Sequence, residues 1–164
     1  MLERCYSNYS SKRYPTYEKC SVTDEWLNYQ NFAAWYDENY YEVDGEKMEL
    51  DKDILIKGNK VYSPDACVFV PKRINLLFVK KNASRGDLPI GVVWYKRDKN
   101  YQADGKDEYG NTVHLGRYDT VEKAFEAYKI FKENTIKKVA DIYKNKIPNN
   151  LYEAMIAYKV DIKD

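Results

Sequence analysis

The chain has 164 residues with 27 Lys+Arg against 26 Asp+Glu, a net charge of +1, which excludes a protein that holds polyanions by bulk charge alone. With 44% hydrophobic and 32% charged residues it has the composition of a globular chain of one domain or two small modules. No run of about 18 apolar residues occurs, the start MLERCYSNYSSKRY has no apolar stretch, and three cysteines with one histidine fit neither a disulfide framework nor a two-histidine metal site, so a reducing compartment and no membrane span or secretory leader are expected.

Residues 1–20, rich in Ser, Tyr and Lys, read as an irregular arm with a short helix around Leu2–Tyr6. A helical pattern begins at Val22, with Thr23 or Asp24 as its cap, and carries an aromatic stripe of Trp26, Leu27, Tyr29, Phe32, Trp35 and Tyr36. Such a stripe points to core. The first fifty residues carry a net −5, residues 51–86 a net +5. Asp44-Gly45 marks a turn, and residues 48–61 read as two short strands around Lys57-Gly58-Asn59. After a turn at Ser63-Pro64-Asp65, Cys67–Val70 is apolar enough for a buried strand, and Pro71 suits the first turn of a short helix holding Lys72, Arg73 and Asn75. The polar, basic stretch Lys80–Asp87 (KKNASRGD) places a linker at 81–88 between modules 1–80 and 89–164.

Beyond Pro89, Ile90–Arg97, Tyr101–Asp104 and Thr112–Tyr118 read as three strands. Asp119 or Thr120 caps a long helix, with Glu122 as a capping-box partner and a stripe of Ala124, Ala127, Tyr128, Phe131, Thr135, Val139 and Ile142. Pro148 ends it, and a last helix spans about Asn150–Tyr158. The expected fold class is α+β.

The strings GVVWYKR at 91–97, Tyr101-Gln102-Ala103 and HLGRYDTVEKAFEAYK at 114–129 resemble the ethylene-response-factor (Apetala-type) DNA-binding domain. The resemblance implies a three-stranded sheet backed by one helix, its open face directed at duplex DNA. By alternation, Val92, Trp94, Ala103 and Leu115 match helix-facing positions, and Val93, Tyr95, Gln102 and His114 match DNA-facing ones. Trp94 is therefore expected to be buried. Where the family usually offers Arg and Trp, this chain offers Val and Tyr. Phosphate contacts are expected from Lys72, Arg73, Lys80, Lys81, Arg85, Lys96, Arg97 and Arg117.

In the middle module Asp51 and Asp53 straddle Lys52, so in an extended segment both carboxylates fall on one side. That suits a hard cation such as Mg2+ or Mn2+, with Asn75 as a third oxygen. The alternative, which spacing alone favours, is a turn with ion pairs to Lys52, Lys57 or Lys60.

The order RCY at 4–6, TDEW at 23–26 with Phe32, LDKD at 50–53 and YSPDAC at 62–67 resembles phage-encoded relatives of the HNH homing endonucleases. This implies a small ββα-metal-like module. It also implies DNA cleavage with Mg2+ or Mn2+ at Asp51, Asp53 and Asn75. The family's general base is a histidine; here no histidine lies near the box, and its position falls to Asp51 or Asp53, at an ordinary pKa of about 4 a weaker base. Asn59 and Asp65 would hold turns, and Cys67 reads as a buried small hydrophobe. Zinc on Cys5, Cys20 and Cys67 would need a fourth ligand. The expected protein is a phage double-stranded-DNA-binding protein, free of membrane and in the cytoplasm of the infected bacterial host. It either nicks or cuts DNA or is an inactive DNA-binding regulator. The alternative is an inhibitor whose acidic first third binds a host nuclease or defence complex.

Overall fold

The computed structural model describes residues 1–7, 19–80 and 86–164. The chain divides into two units, Met1–Leu76 and Leu77–Asp164, with the division inside a helix. The expected linker at 81–88 and most of the N-terminal arm lie largely outside the described residues.

In the first unit, α1 (Leu2–Tyr6) leads to β1 (Ser21–Val22), where the Val22 N–H donates to the Tyr6 hydroxyl at 3.0 Å. One helix was expected next. Instead α2 (Asp24–Leu27) and α3 (Tyr29–Asn39) are separated by Asn28, which stays extended and accepts the Gln30 N–H on its side chain at 3.0 Å. Asparagine favours this N-cap geometry over a helix interior. Thr23 stands at the cap of α2, but its hydroxyl makes no cap bond. The aromatic stripe is divided: Trp26 is fully buried and meets Phe32 and Trp35 at 5.1 and 4.7 Å, whereas Leu27 and Tyr29 are exposed.

The two strands expected around Lys57-Gly58-Asn59 do not pair with each other. β2 (Met48–Asp51) runs antiparallel to β4 (Val68–Pro71), Met48 opposite Pro71 and Asp51 opposite Val68; β3 (Val61–Tyr62) runs parallel to β1. Every residue of β4 is buried, so the most apolar strand takes the β2 ladder. The segment between is a loop bound by its own polar groups. The Asn59 amide donates to the Lys52 and Val61 carbonyls, both at 2.7 Å, as its expected turn role requires. Pro71 ends β4, and α4 (Lys72–Phe78) follows at once, its Lys72 N–H donating to the Lys47 carbonyl at 2.8 Å. The order is β2, a loop leading to β3, then the antiparallel partner β4 and α4.

In the second unit β5 (Val92–Tyr95), β6 (Asn100–Lys106) and β7 (Thr112–Tyr118) form one antiparallel sheet in that order. Then come α5 (Val121–Tyr143) and α6 (Asn149–Ala157). The cap of α5 is Thr120, whose hydroxyl accepts the Lys123 N–H at 3.3 Å; Asp119 does not cap it. One sheet face packs on α5 through Val92, Ala103, Ala124, Phe125 and Tyr128. Of the expected helix stripe Ala124, Tyr128, Thr135 and Val139 are buried and Ala127 and Phe131 half-buried; Phe125, Ile136, Ala140 and Tyr143 widen the buried face, and Ile142 is exposed. Gly91, at φ 78°, lies under the Tyr128 ring so closely that a Cβ would sit 2.0 Å from it. Only glycine tolerates both the backbone and the contact.

Trp94 is 40% exposed, not buried as alternation predicted. The faces are not reversed, because Val92 is 2% and Val93 56% exposed. Cover by α5 is complete at the Val92–Ala103 row; one row on, Trp94 lies opposite Tyr101 and packs on its ring at 4.9 Å. The two units thus mix helix and sheet, with a three-stranded antiparallel sheet and a long helix in the second.

Candidate functional site

The sheet face turned away from α5 gathers side chains from all three strands. Val93, Gln102 and Arg117 form one row across β5, β6 and β7, with Asp104 opposite His114 farther along. A bulge shapes this face: Ala103 pairs with Gly116 and Asp104 with His114, leaving Leu115 without a partner. The extra residue lets His114 and Arg117 share the open face while Leu115 packs toward the core.

Two carboxylates organise the face. Asp104 accepts the Gln102 side-chain amide on Oδ2 at 2.7 Å and meets His114 Nδ1 on Oδ1 at 3.0 Å. Asp98, in the β5–β6 turn, takes Arg97 side-on, Nε to Oδ1 at 2.8 Å and Nη2 to Oδ2 at 3.4 Å, and also accepts Nη1 of Arg117 on Oδ2. The Arg117 guanidinium lies over the Tyr95 ring at 4.0 Å and Arg97 beside it at 5.5 Å. A cation on an aromatic face is attracted by the ring quadrupole and held in one orientation. Lys96, Arg97 and Lys99 are exposed at this end of the sheet, Lys99 in left-handed backbone at φ 50°. The face therefore presents positive charge, a flat amide and an oriented guanidinium, with no overlying element among the described residues of its own unit.

The sequence-derived residues Val93, Tyr95, Lys96, Arg97, Gln102, His114 and Arg117 all belong to this face or its turn. Asp98 and Asp104 were missed. Strand alternation placed Asp104 beside Gln102, so that signal was present; the reach of Asp98 to Arg117, nineteen residues on, depends on the turn and had none. Lys80 is held by Asp164 at 2.9 Å, while Lys72 and Arg73 stand on α4 in the first unit, and Lys81 and Arg85 lie outside the described residues.

The first unit places Asp51 at the end of β2 with Oδ1 accepting the N–H groups of Asp53 and Ile54 at 2.8 and 2.7 Å. That is the turn geometry the spacing favoured. Burial, reinforced by the charge of Asp53, raises the Asp51 carboxyl to about 6, against the lowering effect of the two N–H bonds. Asp53 pairs with the buried Lys52 at 3.5 Å. Asn75 donates to Glu49 Oε2 at 2.6 Å, an interaction the sequence reading missed. Glu49 and Asn75 line a cavity of about 280 Å3 with Arg4, Lys47, Leu50 and Tyr62. Among the described residues no group of three or more His, Cys, Asp or Glu side chains converges. Cys5, Cys20 and Cys67 are thiols that form no disulfide. Burial pushes Cys67 up to about 12, and burial with Cys20 nearby raises Cys5.

Comparison of the chain with protein-family models, with curated proteins and with solved structures returned no match. Among the described residues no helix is long and apolar enough to cross a membrane.

Proposed function

We propose that the protein binds duplex DNA through the open face of its three-stranded sheet, as the resemblance to the ethylene-response-factor type of domain implies. One observation carries the reading: Tyr95, Gln102, His114 and Arg117, with Arg97 at the turn, share the one face that α5 leaves uncovered. A sheet face or ribbon fits the major groove, about 12 Å wide, where base edges differ in donors and acceptors. Lys96, Arg97 and Lys99 hold phosphates and set the register; the strand residues face the bases. The test is a gel shift or anisotropy titration on linear duplex across a salt series. Affinity should fall with salt by about 0.9 in log–log slope per phosphate neutralised. No binding to any duplex at low salt removes the reading and favours the protein-inhibitor alternative, for which the exposed carboxylates Asp24, Glu25, Asp37, Glu38, Glu42 and Asp44 offer an acidic surface.

A second reading, Mg2+- or Mn2+-dependent DNA nicking by a ββα-metal-like module, is favoured by one specific observation. The antiparallel pair β2–β4 is followed at once by α4, with Asp51 at the end of β2 and Asn75 on α4. Incubation with supercoiled plasmid and either metal decides it. Cutting by the wild type that Asp51→Asn abolishes and His114→Ala spares supports this reading; cutting that shows the reverse dependence places the chemistry on the sheet face, and a clean preparation that never cuts removes it.

A further inference from the structure

We infer that the exposed tyrosine edge of α3 is a docking surface for an arginine-rich segment of a partner protein, with Tyr29 and Tyr36 as stacking platforms and Asp37 and Glu38 as acceptors of its charge. The inference goes beyond the duplex-binding reading and does not rest on it. This surface belongs to the first unit and carries charge of the sign that repels DNA.

From Cys20 to Glu46 the chain has seven Asp and Glu and no Lys or Arg. Asp24 and Glu25, in the first turn of α2, have a structural use, because the helix dipole stabilises negative charge at an N-terminus. Asp37 and Glu38 have no such use. They stand toward the C-terminal end of α3, where the dipole opposes negative charge, and no basic residue shares the last turn. Both are exposed, and neither carboxylate makes an ion pair or a hydrogen bond among the described residues. The helix therefore bears an electrostatic cost without a local return, and a cation docked beside it would remove that cost.

The same helix leaves aromatic surface open. None of its eleven residues is fully buried. Tyr29 is 72% exposed and meets no other ring among the described residues. Tyr36 follows seven residues on, two helical turns, so both rings fall on one edge, and Tyr40 stacks on Tyr36 at 4.8 Å. Asp37, next to Tyr36 along the helix, flanks that edge, and Glu38 extends the negative field around it. Rigid tyrosine rings supply contact area at low entropic cost, which is why they concentrate at protein interfaces. A guanidinium suits this combination: its plane stacks on a ring while its edge N–H groups pair with a carboxylate. An ammonium pairs with the carboxylate but cannot lie flat on the ring. The negative field repels nucleic acid and anionic lipid alike, which leaves a cationic protein segment as the occupant.

The experiment titrates the full chain into a short labelled peptide of alternating Arg and Gly, and into its Lys and Gly counterpart, and reads fluorescence anisotropy across a salt series. The arginine peptide should bind at least two- to fivefold more tightly, roughly the worth of one exposed cation–π contact. Tyr29→Ala should erase most of that difference, and Tyr29→Phe, which keeps the ring, should retain it. Asp37→Asn combined with Glu38→Gln should weaken both peptides and flatten their salt dependence. Glu126→Gln, at an exposed carboxylate on α5, should change nothing. Equal binding of the two peptides, or an arginine preference that survives Tyr29→Ala, overturns the stacking role. A loss in Glu126→Gln as large as that of the α3 pair reduces the effect to overall charge and overturns the surface. Absence of binding at low salt overturns the proposal, as does a dimer in sedimentation that Tyr29→Ala dissolves, which would make a second copy the occupant. No DNA enters the assay, so its outcome and that of the duplex titration are read separately.

Discussion

Asp51 and Asp98 each follow closely on a short strand and lead into a turn, yet their carboxylates do opposite work. Asp51 folds back on its own chain and accepts two backbone N–H groups while burial and Asp53 raise it to about 6. Asp98 turns outward, keeps about a third of its side chain in solvent, and gathers two guanidinium groups. The first shapes a loop and carries an electrostatic cost at neutral pH. The second orders a surface at little cost, because water and two cations share its charge. The contrast teaches that an aspartate at a strand end has no fixed role: what surrounds the carboxylate decides whether it shapes the backbone or the binding surface.

Four substitutions sharpen or break that contrast between an inward-built first unit and an outward-built sheet face. The largest effect belongs to the interior. Trp26→Ala removes a fully buried ring that packs against Phe32 and Trp35, and should destabilise the first unit by about 3–5 kcal/mol in denaturant unfolding. A loss under about 1 kcal/mol would show that this cluster is not the core.

Next is Asp51→Asn, whose sign follows from the direction of its shift. The folded-state value near 6 lies above the ordinary 3.8, so the folded protein binds the proton more tightly than the unfolded chain. The group's contribution is therefore fully present below about pH 4 and is lost as pH rises to 6 and beyond. Asparagine keeps the oxygen that accepts the Asp53 and Ile54 N–H groups and carries no charge. The variant should match wild type near pH 4 and exceed it above pH 7, by about 3 kcal/mol at most, in thermal or urea unfolding run at both pH values. A variant less stable at pH 8 would mean that the charged carboxylate is needed, as a partner of Lys52 or otherwise.

Trp94→Ala tests the margin of the second unit's core. A half-exposed ring resting on Tyr101 should contribute about 1–2 kcal/mol, well below a buried tryptophan. Smallest in stability is Arg97→Ala, within about 0.5 kcal/mol, since its pairing is on the surface. The same change should lower the salt slope of duplex binding by about 0.9 if Arg97 meets a phosphate. A shift in stability with an unchanged slope would assign Arg97 to the fold and not to the surface.

Much of the second unit was legible because its signals are local. Three alternating segments and a Thr120 cap gave the elements, and the faces of Val92, Val93, Ala103 and Gln102 followed from a period of two; the long helix ends at Tyr143, before the expected stop at Pro148, which instead stands at the N-cap of α6. Trp94 was misjudged for a physical reason: alternation tells which side a residue takes, not how far the covering helix extends along the strand. The long-helix stripe was legible at Ala124, Tyr128, Thr135 and Val139; that Phe125, Ile136 and Tyr143 are also buried depends on partners the helix does not itself specify.

The first unit was less legible. Its elements are short, and β2 could have paired with any neighbouring extended segment. Its choice of β4 over the nearer chain past Gly58 is a contest of burial between distant segments. Asn28 carried a readable cap signal inside what looked like one helix, and the capping bond won over helix continuity.

By itself, the sequence determined the alternation of the three strands, the long helix, the buried strand at Cys67–Val70 and the gathering of basic and amide side chains on one side of a sheet, because each depends on residues near one another in the chain. Only the tertiary structure decided that Asn75 meets Glu49, that Asp51 is turned inward and raised to about 6, and that Asp98 clasps Arg117 over Tyr95. These depend on strand pairing, a bulge at Leu115 and the local exclusion of water, and such long-range terms leave no periodic trace in the chain.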